Sequence, residues 1–279
     1  MTKKFYKMHG IGNDYIYFDA FDGMPNDPAE IARKLSNRHT SIGGDGVIFV
    51  TKSDQADGFM RIFNRDGSEG KMCGNGIRCV GKFLYEIKGI QKEVLKVETL
   101  SGVKTLALEV KEGKVVSVQV DMGKAELHPE KIPALLAGDR AVQAPLKVGN
   151  AMYQVTLVSM GNPHCVTFVE DLDGIELEKI GPHFENHAAF PERINTEFVK
   201  ILRRNEIAMR VWERGSGETM ACGTGACAAA VASVLNGYCD KEKDILVHLR
   251  GGELTVRYTD ETVLMTGGAE LSFTGEVEL

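Results

Sequence analysis

Residues 60–76, MRIFNRDGSEGKMCGNG, and residues 209–225, MRVWERGSGETMACGTG, carry one pattern twice along the chain. The two segments align without a gap at an offset of 149 positions, about half of the 279 residues. Identities at this offset include Met60/Met209, Arg61/Arg210, Arg65/Arg214, Glu69/Glu218, Cys73/Cys222, Gly74/Gly223 and Gly76/Gly225. A repeat of this length is too long for a solenoid. It indicates two similar domains that arose by duplication.

Each copy predicts the same succession of elements. Apolar and polar residues alternate over 60–63 and over 209–212, which predicts a strand that runs into a polar, glycine-bearing loop. A Cys-Gly-x-Gly motif and a helical pattern follow, so we expect helices over roughly 74–88 and 223–236. The second helix is small and apolar on every side, which predicts that it is buried all round.

The rest of the chain reads mostly as strands, with hairpin signals at Glu112-Gly113 and Gly251-Gly252. We therefore predict an α+β fold with two pseudo-symmetric domains, each a curved, mainly antiparallel sheet or barrel around a central helix. The first domain is expected over residues 1–122 and the second over residues 123–267. A C-terminal strand, residues 268–279, is expected to return to the first domain.

The bulk composition argues against several classes of protein. A net charge of −6 leaves no basic surplus to neutralise phosphates, so we expect no nucleic-acid partner. No run approaches the roughly 18 apolar residues of a membrane helix, and the N-terminus lacks the apolar centre of a signal peptide. We therefore expect a cytoplasmic protein with no membrane partner.

Six cysteines are spread over a chain without an export signal, so thiols are expected rather than disulfides. The close pairs have the spacings C-x5-C and C-x4-C and lack the C-x2-C spacing of structural zinc sites, so we expect no metal. Cys79 and Cys227 lie further along the two helices and read as core residues, and Cys165 reads as structural.

Cys73 and Cys222 each stand at the start of a predicted helix. There the backbone N–H groups lack partners and the helix dipole is positive, which is expected to lower a thiol pKa from about 8.5 towards neutrality. The Gly-x-Gly that follows lets a ligand approach the backbone closely. The motif therefore predicts an anion site with a reactive sulfur at its rim.

Duplication of that motif predicts a mechanism. If the two domains face each other, one thiolate could remove a proton from a carbon while the opposing thiol returns one to the other face. No lysine lies in a recognisable pyridoxal-phosphate context, so we expect no cofactor. A single cysteine at a helix start is more often a buried apolar residue, but two at equivalent positions favour catalysis.

At these residues the chain resembles the diaminopimelate epimerase family over essentially its whole length. The resemblance rests on four blocks: residues 7–14 (KMHGIGND), 64–79 (NRDGSEGKMCGNGIRC), 161–165 (GNPHC) and 211–228 (VWERGSGETMACGTGACA). It implies a pyridoxal-independent, two-cysteine epimerase, usually a homodimer. Such an enzyme interconverts LL- and meso-diaminopimelate for lysine and cell-wall synthesis.

The resemblance also implies residue roles. Cys73 corresponds to the base for the LL isomer and Cys222 to the base for the meso isomer, while His164 and Glu213 tune the two thiols. Backbone N–H groups of Gly74, Asn75, Gly223 and Thr224 would hold the reacting end. The distal amino-acid group would be bound by Asn13, Asn64, Asn162, Asn195, Glu213 and Arg214. Without the resemblance, structural roles are the commoner interpretation: a turn for His164, an ion pair for Glu213, and turns or helix caps for the asparagines.

Three alternatives remain open from the sequence. A related two-cysteine racemase could act on another amino acid such as histidine, although the retained distal residues favour a substrate with a second amino-acid head. The proline-racemase type is disfavoured because its first motif carries His where this chain has Asn75. The third alternative, from a different class, is a thiol–disulfide redox protein or a non-catalytic binding module. A redox dithiol would more naturally use a local C-x-x-C. A further departure from some family members is Gly46, where they carry Gln.

Overall fold

Strands are the commonest secondary structure in the computed structural model, which describes residues 2–279. The chain folds into two compact units. The first unit contains the residues up to Asp121 together with Thr266–Leu279, and the second contains Met122–Met265. Each unit builds a mainly antiparallel sheet with one buried helix packed against it.

The first unit is built from eight strands and two helices before the chain leaves it. Its elements are β1 Thr2–Gly10, β2 Asn13–Asp19, α1 Pro28–Leu35, β3 Gly46–Thr51, β4 Gly58–Asn64, β5 Glu69–Gly70, α2 Gly74–Lys82, β6 Val94–Thr99, β7 Gly102–Lys111 and β8 Lys114–Asp121. Helix α2 continues into a π-helical turn, Phe83–Ile87, so the predicted helix has the expected extent but a wider last turn.

The second unit repeats this order from β10 onwards, after a 3-10 turn and one additional strand. Its elements are the 3-10 turn Pro129–Lys131, β9 Ala144–Val148, β10 Ala151–Ser159, β11 Pro163–Phe168, α3 Leu177–Glu185, β12 Asn195–Arg203, β13 Glu206–Glu213, β14 Gly217–Glu218, α4 Gly223–Leu235, β15 Asp244–Leu249, β16 Gly252–Tyr258 and β17 Val263–Gly267, whose last two residues belong to the first unit. The last strand, β18 Glu270–Glu278, pairs antiparallel with β1 in the first unit.

The duplication extends to the register of the sheets. Strands β2 and β3 are parallel with Tyr15 opposite Gly46, and β11 and β12 are parallel with His164 opposite Asn195. Each pair lies at the 149-residue offset found in the sequence. Because side chains alternate across a strand, equal register places equivalent residues on the same face in both units.

The buried helices α2 and α4 form the centre of each unit. Ala228, Val231 and Ala232 of α4 have no exposed surface, which confirms the prediction of a helix buried on every side. Helix α1 lies at the surface of the first unit, and its N-cap is Asp27, whose carboxylate accepts a hydrogen bond from the Glu30 N–H. Across residues 2–279, no helix is long and apolar enough to span a membrane.

Candidate active site

The two cysteines are the N-cap residues of the buried helices. Cys73 precedes α2 with φ −134° and ψ 119°, and Cys222 precedes α4 with φ −119° and ψ 109°. Each Sγ accepts a hydrogen bond from the N–H of the glycine three residues on, Gly76 or Gly225, at 3.3 Å in both cases. The sulfurs thus take the place that serine or aspartate oxygens hold in ordinary caps. The position of each cysteine at a helix start agrees with the prediction from the sequence.

Around Cys73, the side chain of Asn13 is held in one orientation. The Cys73 thiol donates to Asn13 Oδ1 at 3.3 Å, while Asn13 Nδ2 donates to Asp45 Oδ2 at 2.7 Å. Arg38 in turn donates to Asp45 Oδ1 at 2.9 Å. The phenol of Tyr15 lies within hydrogen-bonding range of Asn13 and Cys73, and burial raises the Tyr15 pKa well above its ordinary value. These residues form the first half-site.

Around Cys222, a chain of side chains leads away from the sulfur. Cys222 Sγ lies 3.5 Å from Thr224 Oγ1, and Thr224 Oγ1 lies 3.2 Å from Asn162 Nδ2. Asn162 Oδ1 lies 3.1 Å from His164 Nε2, and His164 Nδ1 lies 2.7 Å from Glu197 Oε1. His164 and Glu197 have no exposed surface. Together with Glu213, these residues form the second half-site.

Glu213 is a carboxylic acid whose negative charge raises the pKa of Cys222. Burial raises the pKa of Glu213, and the negative charge of Glu197 adds to that effect. Hydrogen bonds from Thr219 and Cys222, and the nearby His164 ring, act in the opposite direction. At the equivalent position of the first unit stands Asn64, which has no charge and donates to Ser68 Oγ at 3.0 Å.

The pKa of Cys222 differs from the sequence-based expectation. Burial raises it well above the ordinary value of a thiol, and the carboxylates of Glu213 and Glu197 raise it further. Hydrogen bonds from Thr224 and the Gly225 N–H lower it, but they do not outweigh burial. The prediction that a helix start brings the thiol pKa towards neutrality was therefore wrong for Cys222. The raised pKa of Cys222 favours the protonated thiol, which is the form that can act as an acid.

The residues predicted to bind a distal amino-acid group have partners within the protein. Asn195 is buried, its Nδ2 donates to the Pro163 carbonyl at 2.8 Å, and its Oδ1 accepts from the Arg214 N–H at 2.9 Å. The Arg214 guanidinium donates to the Glu192 carbonyl at 2.8 Å. Asn195 therefore braces the start of the loop that carries Arg214, and the binding roles of both residues stay predictions.

Three members of the half-sites were missed from the sequence: Tyr15, Asp45 and Glu197. The offset of 149 places Tyr15 at the position of His164, which was a usable signal for a side chain beside Cys73. A single glutamate stands directly before the apolar Phe198-Val199 of β12, and this was the only local signal for Glu197. In the part of the chain that the structure describes, no group of three or more His, Cys, Asp or Glu side chains could hold a metal ion.

Solved structures with the same architecture are amino-acid epimerases and related proteins. A Bacillus anthracis phenazine biosynthesis protein of the PhzF family matches with a TM-score of 0.71 and 17% identity, over 100% of both chains. A hydroxyproline epimerase from Agrobacterium vitis matches with a TM-score of 0.69 and 14% identity, over 99% of this chain and 91% of the other. At these identities the likeness establishes the fold, and it confirms the predicted α+β class.

Sequence comparison gives the family. The profile described as Diaminopimelate epimerase matches residues 5–128 and 156–272. A diaminopimelate epimerase of Agathobacter rectalis is 53% identical over 285 residues, which cover 99% of each chain. The chain is thus an isomerase of the amino-acid epimerase class. It belongs to the diaminopimelate epimerase family.

Proposed function

We propose that this protein interconverts LL- and meso-diaminopimelate, with Cys73 and Cys222 as the two proton-transferring groups. The observation that carries the proposal is the pair of cysteine N-caps, which have matching backbone angles and matching sulfur–glycine hydrogen bonds in the two units. Membership of the diaminopimelate epimerase family supports diaminopimelate as the substrate. Two acid–base groups of one kind suit inversion at one carbon, where each must act as acid in one direction and base in the other.

The difficult step is removal of a proton from the substrate Cα, because the resulting charge must be stabilised. The first N–H groups of α2 and α4, at Gly74, Asn75, Gly223 and Thr224, are the donors proposed for the reacting carboxylate. A preorganised donor of this kind contributes about 3 kcal/mol to a transition state in other enzymes. In this proposal, no residue of the chain acts as an electron sink.

The surroundings of Cys222 support an order of events. Burial and the carboxylates of Glu213 and Glu197 raise the pKa of Cys222, which favours its protonated form. With the LL isomer, Cys73 acts as the base and Cys222 returns a proton to the opposite face. With the meso isomer the roles reverse, and Glu213 is the neighbouring acceptor through which the Cys222 proton can leave.

Binding of the far end of the substrate is assigned to Asn13, Asn64, Asn162, Asn195, Glu213 and Arg214. A second amino-acid head needs donors for its carboxylate and acceptors for its ammonium group. Arg214 can supply a fork of N–H donors to the carboxylate. The Glu213 carboxylate and the amide oxygens can accept from the ammonium group.

The proposal is tested by incubating the protein with LL-diaminopimelate in D2O and following both Cα deuteration and the meso isomer. Cys73→Ser and Cys222→Ser should each lose epimerisation by more than about a hundredfold. Cys239→Ser is the matched control, since this buried cysteine lies outside both half-sites. Full activity in either site variant would contradict the two-cysteine mechanism, and faster inversion of histidine, lysine or proline would reassign the substrate.

The proposal places the protein in the supply of meso-diaminopimelate for lysine and cell-wall synthesis. A homodimer is part of the same proposal, because members of the family are usually dimers. Light scattering after size-exclusion chromatography gives the molar mass in solution, and a mass near 30.5 kDa, that of one chain, would contradict the dimer.

A further inference from the structure

The two units differ at one buried position beside the helix starts. Glu197 on β12 and Ile48 on β3 are equivalent, and neither has exposed surface. Each touches the glycine that bonds to the site sulfur: a Cβ on Gly225 would lie 2.7 Å from Glu197 Oε1, and one on Gly76 would lie 2.8 Å from Ile48 Cδ1. The first unit shows that the fold accepts an aliphatic side chain here, so packing does not require the glutamate.

A buried glutamate is costly where isoleucine would serve. Removing an ionised carboxylate from water costs several kcal/mol unless a partner compensates it. Glu197 Oε1 lies 2.7 Å from His164 Nδ1, while Oε2 is buried without a hydrogen-bond partner among residues 2–279. His164 therefore provides the main compensation for this carboxylate.

A second position changes together with the first. Where the second unit has His164, the first has Tyr15, so the pair His164–Glu197 replaces the pair Tyr15–Ile48. A phenol carries its own proton and needs no partner on its far side. An imidazole in a buried site needs a group that decides which nitrogen bears hydrogen. The two units differ at both positions together, as expected if the glutamate decides which nitrogen of the histidine bears hydrogen.

The hydrogen bonds give the second half-site a direction. Asn162 Oδ1 accepts from His164 Nε2, which must then carry hydrogen, and Asn162 Nδ2 donates to Thr224 Oγ1. Thr224 Oγ1 lies 3.5 Å from Cys222 Sγ, and its hydroxyl hydrogen is free to point at that sulfur. With Thr224 as the donor, the chain of hydrogen bonds stabilises a thiolate at Cys222 when one forms. This arrangement requires that His164 carries a hydrogen on Nε2 and that its Nδ1 faces Glu197.

We infer that Glu197 is a positioning residue for the proposed epimerase reaction. It shares a proton with His164 Nδ1, fixes the ring with its Nε2–H towards Asn162, and so turns the Thr224 hydroxyl towards the Cys222 sulfur. The inference rests on the proposed function for its kinetic consequences, but the shared proton is a property of the folded protein. The two can therefore be tested separately.

The direct test is NMR of protein labelled with ¹⁵N-histidine. A His164→Gln variant identifies the His164 signals among those of the seven histidines. We expect a strongly deshielded, slowly exchanging proton on His164 Nδ1, because it lies between two buried atoms. This resonance should be lost in Glu197→Gln and in Glu197→Ile, which installs the first unit's residue, and kept in Glu197→Asp.

Kinetics provide the second readout. Glu197→Gln should lower kcat about tenfold to a hundredfold with KM within about twofold, as expected when the proton-transfer step is impaired and binding is not. Because the equilibrium between the isomers is fixed, kcat/KM must fall by the same factor in both directions. Glu185→Gln is the matched control, since Glu185 is a buried acid of the same unit that bonds to Trp212 and Arg193.

The outcomes separate the two proposals. A wild-type spectrum without the deshielded His164 proton overturns the inference, and so does Glu197→Gln with wild-type kinetics. An inactive wild-type protein that shows the proton overturns the proposed substrate and leaves the His164–Glu197 pair standing. If Glu197→Gln fails to fold, the wild-type spectrum and the Glu197→Asp variant decide the question.

Discussion

The neighbouring Glu213 carboxylate adds to burial in raising the pKa of the Cys222 thiol, and the first unit carries the uncharged Asn64 at the position of Glu213. The raised pKa favours the protonated form of this thiol. The first half-site has no carboxylate in the equivalent place, and Cys73 is partly exposed. Two sites with the same backbone geometry therefore hold thiols in different surroundings.

The first prediction concerns the order in which the thiols react. Cys73 should be alkylated by iodoacetamide at pH 8 at least tenfold faster than Cys222, because a thiolate is the reactive species and burial raises the pKa of Cys222. Peptide mass spectrometry over a time course measures both rates in one sample. Cys79 and Cys165 serve as internal controls, since burial raises the pKa of each. Equal rates at Cys73 and Cys222 would contradict the assignment.

The second prediction concerns Glu213→Gln. Removing this carboxylate removes a charge that raises the Cys222 pKa, so alkylation of Cys222 should begin at a lower pH than in the wild type.

Stability supplies an independent check on the same variant. The folded pKa of Glu213 is raised, so its contribution to stability is present below the unfolded value of 4.5 and is lost as the pH rises through the folded value. Glu213→Gln should therefore be at least as stable as the wild type at pH 7 in urea denaturation, while epimerisation falls. A less stable variant with full activity would show that the carboxylate has a structural role.

The third prediction compares two glycines. Gly225→Ala places a methyl group 2.7 Å from Glu197 Oε1 and 3.2 Å from Cys222 Sγ, so it should cost about a hundredfold in kcat by displacing the carboxylate and the sulfur. Gly76→Ala meets the flexible ends of Ile48 and Met60 and should lose activity less. Both should lower the free energy of unfolding by about 1–3 kcal/mol.

The control for this pair is Gly268→Ala, since no atom lies within 4 Å of a Cβ built there. It should leave stability and activity unchanged. Steady-state kinetics together with urea denaturation separate the two effects. Equal loss of activity in Gly225→Ala and Gly76→Ala would argue against a special role for the Glu197 contact.

The fourth prediction concerns Asp14, which neighbours Asn13. Burial raises the Asp14 pKa, but hydrogen bonds and charges from Arg38 and Lys7 outweigh it and hold the pKa below 3.8. Asp14 lies 2.5 Å from Lys7 Nζ, and Lys7 is itself buried. Asp14→Asn should therefore lower the free energy of unfolding by about 2 kcal/mol at pH 7, since it leaves a buried ammonium group without its main partner.

The contribution of Asp14 to the free energy of unfolding should depend on pH. A carboxyl group with a lowered folded pKa stabilises the protein above its unfolded pKa, and that contribution is lost as the pH falls through the folded value. The difference in free energy of unfolding between wild type and Asp14→Asn should therefore become smaller below about pH 4 in denaturant titrations. A gap that stays constant from pH 7 to pH 3 would contradict the ion pair.

The sequence predicted the features that depend on local pattern. The offset repeat around Cys73 and Cys222 gave the duplication, the strand before each cysteine and the helix after it, because side-chain periodicity and helix-start motifs are written in neighbouring residues. It also gave α4 as a buried helix, since a run of small apolar residues on every face has no other stable place. These predictions agree with the structure at the level of single elements.

The tertiary structure alone decided the side-chain hydrogen bonds of the half-sites and the direction of the Cys222 pKa shift. Glu197 meets His164 only because β11 and β12 pair in one register, across 33 positions of the chain, and no local pattern records that contact. The Cys222 pKa went the opposite way to expectation because burial and two distant carboxylates outweigh the helix start. Charge and desolvation depend on what surrounds an atom in space, so they are fixed only once the chain has folded.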